Sequence, residues 1–224
     1  VMLKEVIDNA VDEFIMGQGK RIVINRDGHE VTVRDFGRGI PLGKVVDCVS
    51  KINTGGKYND DVFQFSVGLN GVGNKAVNAL SSDFEVVSYR DGKFKRALFH
   101  QGRLSEEKGG KDGSNPRGTL IRFEPDPEIF AEYAWNEEYI EHRLEYYAYL
   151  NSGLTMIYNG RKFASRHGLA DLLALLLFTP AIYLPILLAQ APATASSEAE
   201  TARPPPCPCP SPFPSLITSP SRTT

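Results

Sequence analysis

Three segments of this 224-residue chain hold residue types that could bind a small polar ligand. In the first, Glu5 and Asn9 stand four apart, so on a helix they are neighbours, sharing a face with Asp8, Asp12 and Glu13. Alone this pattern suits an ordinary solvated acidic face; the two glycine-rich segments downstream set it apart. The second segment is Arg34-Asp35-Phe36-Gly37-Arg38-Gly39-Ile40-Pro41. Its glycines let backbone approach a ligand closely, and Asp35 at the loop edge can accept a hydrogen bond from an exocyclic amino group. A plain turn with Asp as its cap has the same composition. The third runs over 66–81, where Gly68, Gly71 and Gly73 lead into an apolar-periodic stretch. Glycines before a helix leave backbone N–H groups and the positive helix end aimed at an anion. Neither the phosphate-loop lysine spacing nor the dinucleotide fingerprint is present.

Local elements must hold these residues. Leu3, Val6, Ile7, Ala10, Val11 and Phe14 recur at helical spacing. Strands are predicted at 22–25 and 31–34 around Asp27-Gly28, and at 84–89 and 94–99 around Asp91-Gly92. A further strand is predicted at 119–123, a helix at 136–150, and a short strand at 155–158 before Asn159-Gly160. Hairpins outnumber parallel crossovers. The expected class is therefore α+β, a two-layer sandwich with a mixed, mostly antiparallel sheet and helices on one face.

A formal net charge of -2 gives no general electrostatic case for wrapping nucleic acid, so any DNA role must come through a partner or other segments. Cys48 lies in an apolar stretch and reads as a small buried residue, while Cys207 and Cys209 lie between prolines without the partners of a zinc site. No charged region followed by an apolar run opens the chain, so no secretory signal is expected. The sequence changes character near Asp171. Residues 1–171 read as one domain. Residues 172–224 begin with an apolar run broken by Pro180 and Pro185 and continue as a Pro/Ala/Ser/Thr tail, read as a non-native, disordered end of a truncated chain rather than a membrane anchor.

The motifs Glu5-Val6-Ile7-Asp8-Asn9-Ala10-Val11-Asp12-Glu13, Gly37-Arg38-Gly39-Ile40-Pro41, Thr54-Gly55-Gly56-Lys57, Gly68-Leu69-Asn70-Gly71-Val72-Gly73 and Gly118-Thr119 occur in that order. Together they resemble the ATPase domain of gyrase B and topoisomerase IV B, the ATP-dependent components of type IIA DNA topoisomerases. That domain shares a superfamily with heat-shock chaperones, MutL proteins and histidine kinases. The resemblance spans about residues 1–171. Asn70 and Lys75 look more like topoisomerase IV B chains of the Bacteroidetes type than enterobacterial gyrase.

The resemblance implies roles. Glu5 would be the general base and Asn9 a ligand of Mg²⁺ bridging the phosphates of ATP. Asp35 would accept from the adenine amino group, with Thr119 supporting the base through water. Gly71, Val72, Gly73 and Asn74 would offer amides to the phosphates, and Lys57 would approach them from a lid. Asp12, Glu13, Arg38, Gly39, Ile40, Pro41, Leu69, Asn70 and Lys75 would complete the ATP site, with an Arg38–Glu13 ion pair walling it. The implied setting is cytoplasmic, without membrane. The implied partners are a second copy of the ATPase component in a homodimer, the separate DNA-cleaving component, and DNA reached through the parent complex.

Departures qualify this. Phe63 stands where gyrases often have a Tyr reaching the adenine, and an N-terminal arm, a transducer domain and the DNA-cleavage regions are not matched. The chain is expected to bind ATP and hydrolyse it poorly. A chaperone-like or mismatch-repair ATPase, an inert fragment, and a membrane-tethered nucleotide sensor are the competing readings.

Overall fold

The computed structural model describes residues 1–51 and 72–177. The chain divides into two units, Val1–Pro180 and Ala181–Thr224, and every described residue belongs to the first. Helix α1 (Met2–Ile15) buries Leu3, Val6, Ile7, Ala10 and Val11, the stripe its spacing predicts. It ends because Gly17 takes φ 76°. Gly17 N–H then donates to Phe14 O and Gln18 N–H to Glu13 O, which satisfies carbonyls the last turn would leave open.

Eight strands form one sheet in the order β5-β4-β3-β6-β2-β1-β7-β8. They are β1 (Arg21–Asp27), β2 (Glu30–Asp35), β3 (Ser81–Arg90), β4 (Lys93–His100), β5 (Arg103–Lys111), β6 (Gly118–Pro125), β7 (Thr155–Tyr158) and β8 (Arg161–Ala164). Among the described strands only β1 and β7 pair in parallel; the other neighbours are antiparallel. Three hairpins close through two-residue turns with both φ values positive: Asp91-Gly92, Gln101-Gly102 and Asn159-Gly160. That backbone twist matches the right-handed twist of the strands it joins.

Register places the inward side chains in rows across the sheet. One row reads Phe99, Phe84, Phe123, Val31, and the next Ala97, Val86, Ile121, Val33, Ile24, Tyr158. Phe84 and Phe123 are among the largest fully buried side chains. Truncating either to Ala would cost about 3–5 kcal/mol. At one end of the sheet the rows turn polar: Ser88 pairs with Thr119, and Asp35 pairs with Ile22. All three polar side chains are buried.

Helices α1, α2 (Val45–Ser50), α3 (Gly73–Ala79) and α4 (Glu137–Leu150) join the apolar layer that covers this face. Asn136 caps α4, its side-chain oxygen accepting from Tyr139 N–H at 2.9 Å. The α4 stripe Ile140, Leu144 and Ala148 faces inward. The opposite sheet face carries ion pairs instead: Arg122 bridges Glu30 and Glu85, and Arg96 also reaches Glu85. The two-layer α+β expectation holds.

Two strands and one α-helix were not expected from sequence. Strand β5 is exposed along its whole length and shows no apolar alternation, being an edge strand covered on neither face. Strand β8 buries only one of its four residues, and helix α2 has only 6 residues, so neither carries a periodic signal. A helical stretch runs over 169–177, so the expectation of helix at Ala170, Asp171 and Leu172 is met; the remainder of the 172–224 expectation lies outside the described residues. Among the described residues no helix is long and apolar enough to cross a membrane.

Candidate functional site

Asp35 ends β2 on the buried side of the sheet, at 8% exposure. Its Oδ1 accepts from Gly37 N–H at 2.8 Å and Thr119 N–H at 3.1 Å. Oδ2 receives no donor among the described residues. Burial pushes the Asp35 pKa up from the ordinary carboxylate value, and the two backbone N–H groups oppose that shift. One oxygen is thus used to fix the carboxylate, and the other is left as a directed acceptor.

The loop after Asp35 passes tightly across the sheet end. Gly39 has φ 73°, and a Cβ there would lie 2.7 Å from Tyr89 O. Ser88 Oγ donates to Ile40 O at 2.7 Å, which fixes the far side of the loop. Pro41 leads into a single 3₁₀ turn (Leu42–Lys44). A Cβ on Gly37 would lie 2.6 Å from Glu13 Oε2, so glycine is what lets Glu13 run beneath the loop.

Glu13 meets Arg38 there. Arg38 Nη2 lies 2.9 Å from Glu13 Oε1, Nε lies 3.2 Å from Oε2, and Arg38 N–H donates to Oε2 at 2.8 Å. The expected ion pair forms, and bidentately. The side-chain hydrogen bond to Glu13 is the main cause raising the Arg38 pKa above the ordinary arginine value. With both side chains below one fifth exposed, the pair is a fixed contact rather than a solvated one.

On the neighbouring face of α1, Glu5 reaches the start of α3. A Cβ on Gly73 would lie 2.6 Å from Glu5 Oε2 and 3.6 Å from Asn9 Nδ2. Asn9 Nδ2 donates to Glu5 O at 2.6 Å and to Asn74 Oδ1 at 3.2 Å. The amide nitrogen is committed, and Asn9 Oδ1 accepts no hydrogen bond among the described residues. Asp8, on the same acidic face, is engaged elsewhere: it accepts from Tyr147 OH on α4 and pairs with Lys4. Burial first, then the Asp8 bond, pushes the Tyr147 hydroxyl up from the ordinary tyrosine pKa.

The structure therefore brings Glu5, Asn9, Gly73 and Asn74 together, and separately groups Asp35, Thr119, Arg38, Glu13, Gly39 and Ile40 around the sheet end. Asp12 and Lys75 are buried on the mutually packed α1 and α3. Val72 is 43% exposed at the N-terminus of α3. The expectations for Lys57, Phe63, Leu69, Asn70 and Gly71 fall outside the described residues. Cys48 is half-buried rather than fully enclosed, its thiol pushed up by burial.

Sequence reading passed over Ser88 and Asn78. Ser88 was visible as the polar member of the inward series Phe84, Val86, Ser88. Asn78 is 2% exposed and donates to Val49 O at 2.9 Å, tying α3 to α2; nothing local in the sequence marks it. A small cleft of about 130 Å³ opens on the opposite sheet face, beside Glu30, Glu85 and Arg122, and contains none of the expected site residues.

Residues 1–129 match the sequence family described as histidine kinase-, DNA gyrase B-, and HSP90-like ATPase. The chain is 55% identical over 173 residues to the topoisomerase IV B protein of Borreliella burgdorferi, covering 77% of this chain and 29% of that protein. It is 38% identical over 173 residues to the DNA gyrase B protein of Thermus thermophilus, covering 72% and 27%. Its fold matches the 43K ATPase domain of Thermus thermophilus gyrase B, solved with an aminocoumarin, at a TM-score of 0.66 and 30% identity, covering 78% of this chain and 48% of that one. The chain thus spans under one third of the length of these curated relatives.

Proposed function

Because this chain belongs to the histidine kinase-, DNA gyrase B- and HSP90-like ATPase family, we propose that it binds and hydrolyses ATP as the ATPase domain of a type II DNA topoisomerase of the gyrase B and topoisomerase IV B kind. The observation that carries this reading is Asp35, with one carboxylate oxygen fixed by two backbone N–H groups and the other left to accept. Adenine offers an exocyclic amino donor of matching polarity. Thr119, held in place by the same carboxylate, supports the base through water. The Arg38–Glu13 pair and residues 39–41 line the base.

At the other end, Glu5 orients and deprotonates the attacking water. Phosphoryl transfer to water depends mostly on positioning and charge neutralisation, and a fixed carboxylate supplies the first. Gly71, Val72, Gly73 and Asn74 offer amides to the phosphates, with Lys57, Asp12, Leu69, Asn70 and Lys75 around them. The Oδ1 of Asn9, which accepts no hydrogen bond among the described residues, is a neutral hard oxygen and suits Mg²⁺, an ion that takes few protein ligands alongside phosphate oxygens and water. Bound Mg²⁺ neutralises charge on the transferring phosphate. Asn74 and the Glu5 carbonyl hold the Asn9 amide in the orientation this needs.

In the whole protein, this domain pairs with a second copy of itself and with a separate DNA-cleaving component in the cytoplasm, and couples ATP to passage of one DNA segment through another. The 224-residue chain alone binds ATP and turns it over slowly. A thermal-shift titration with Mg²⁺ and a non-hydrolysable ATP analogue tests the reading. A ligand that binds only the native state at a hundred times its Kd adds about 2.7 kcal/mol of stability. A flat melting temperature at saturating analogue would overturn it.

A further inference from the structure

Arg34 stands one residue before Asp35 on β2, so the strand's alternation turns it to the face opposite the described helices, behind the site. It makes a fork of contacts there. Nη1 donates to Asp35 O at 2.6 Å and Nη2 to Pro116 O at 2.6 Å. Its guanidinium lies 4.9 Å from the centroid of Phe36 and 4.6 Å from that of Tyr89. Arg21 also lies over Phe36, at 4.0 Å. Three chain segments therefore converge on one side chain: the end of β2, the approach to β6 and the end of β3.

The same segments carry the adenine-facing groups on the other side of the sheet. The β2 end holds the Asp35 carboxylate and Gly37 N–H; the β6 start holds Thr119 N–H; the β3 end holds Ser88, which fixes Ile40. The β2–β6 ladder reaches Arg34↔Leu120, the pair next to Asp35. At this end β6 opens with Gly118, at φ 131°, where a Cβ would lie 2.3 Å from Asp35 O and 2.7 Å from Arg34 Nη1. Nothing larger than glycine fits between the two strand ends while the fork holds them.

We propose that Arg34 is a positioning residue for nucleobase recognition: from the far face it clamps the ends of β2 and β6, so that Thr119 N–H holds one Asp35 oxygen and the other faces the base. The proposal rests on the assignment of Asp35 to adenine. Arginine suits the place because a planar fork reaches two carbonyls at once while its face stacks on aromatic rings, which a lysine cannot do. Burial pulls its pKa below the ordinary arginine value, with the Asp35 charge opposing.

The test uses the full chain with Arg34→Gln, Arg34→Lys and, beside them, Asp35→Asn. Affinities for non-hydrolysable ATP and GTP analogues with Mg²⁺ are measured by calorimetry. Arg34→Gln should lower the ATP-over-GTP preference about tenfold, the size expected when one hydrogen bond to the base is misaligned. Arg34→Lys should restore only part of it. A residue that merely supports the fold would weaken both analogues equally and leave the ratio unchanged, and that result overturns the proposal. If the Gln variant does not fold, the Lys variant decides: an unchanged ratio overturns the proposal, and a reduced one supports it. If Asp35→Asn also leaves the ratio unchanged, the adenine assignment itself falls. If Asp35→Asn shifts the ratio and neither Arg34 variant does, that assignment stands and only the clamp fails.

Discussion

Replacing Asp35 by Asn separates stability from recognition at one atom. The Asn carbonyl can still accept from Gly37 and Thr119 N–H, so the local fold keeps both bonds. What changes is the free position, where an NH₂ group replaces a carboxylate oxygen. Facing the adenine amino group, it sets donor against donor. A buried mispaired polar group costs about 1–3 kcal/mol, or roughly 5- to 150-fold in affinity. Guanine carries a carbonyl at the equivalent place, so the variant should gain affinity for GTP while losing it for ATP.

Stability should move the other way. Burial raises the folded-state pKa of Asp35, so its ionised form costs stability above that raised value. The cost sets in as pH rises from the ordinary value of 3.8 through the folded pKa, and is absent at lower pH. Asp35→Asn should therefore be at least as stable as the parent near pH 7, with any advantage vanishing in acid. Denaturant melts at pH 7 and below pH 3.8 check the stability, and calorimetry with ATP and GTP analogues checks the recognition. A variant that binds ATP as before, or loses both nucleotides along with its fold, refutes this reasoning.

Glu5→Gln in the full-length parent should retain nucleotide binding and lose at least about a hundredfold in turnover, read in a steady-state ATPase assay. Gly73→Ala should drive a methyl against the Glu5 carboxylate and reduce turnover in the parent, while the melting temperature of the domain changes little. Glu13→Ala should destabilise the fold by about 1–3 kcal/mol, because it removes the carboxylate that accepts from Arg38 N–H, Nε and Nη2; urea denaturation measures it. Deleting 178–224 should leave nucleotide affinity unchanged and raise solubility; loss of binding on deletion would make those residues part of the domain.

Much of the scaffold was legible because its signals are local. The α1 stripe, the Asp91-Gly92 and Asn159-Gly160 turns and the helix expected over 136–150 each follow from nearby residues. The Gln101-Gly102 turn was not legible, because Gln is rarely held at positive φ and only the β4–β5 pairing imposes it. Strand β5 escaped because an edge exposed on both faces has no alternation to read. In the site, Asp35 and Glu13 stood out as carboxylates among glycines and on a helix face. The roles of Ser88, Arg34 and Asn78 depend on which strand or helix lies beside them, which no spacing in the chain announces.

A crystal structure of the chain with Mg²⁺ and a non-hydrolysable ATP analogue tests the assignment of the site most directly. The adenine amino nitrogen should lie within hydrogen-bond reach of the free Asp35 oxygen, about 2.7–3.2 Å. The terminal phosphate should lie over Gly73 and Asn74, with Glu5 beside it and Asn9 Oδ1 on the metal. A nucleotide bound elsewhere, or one whose base leaves the Asp35 oxygen facing solvent, would contradict it.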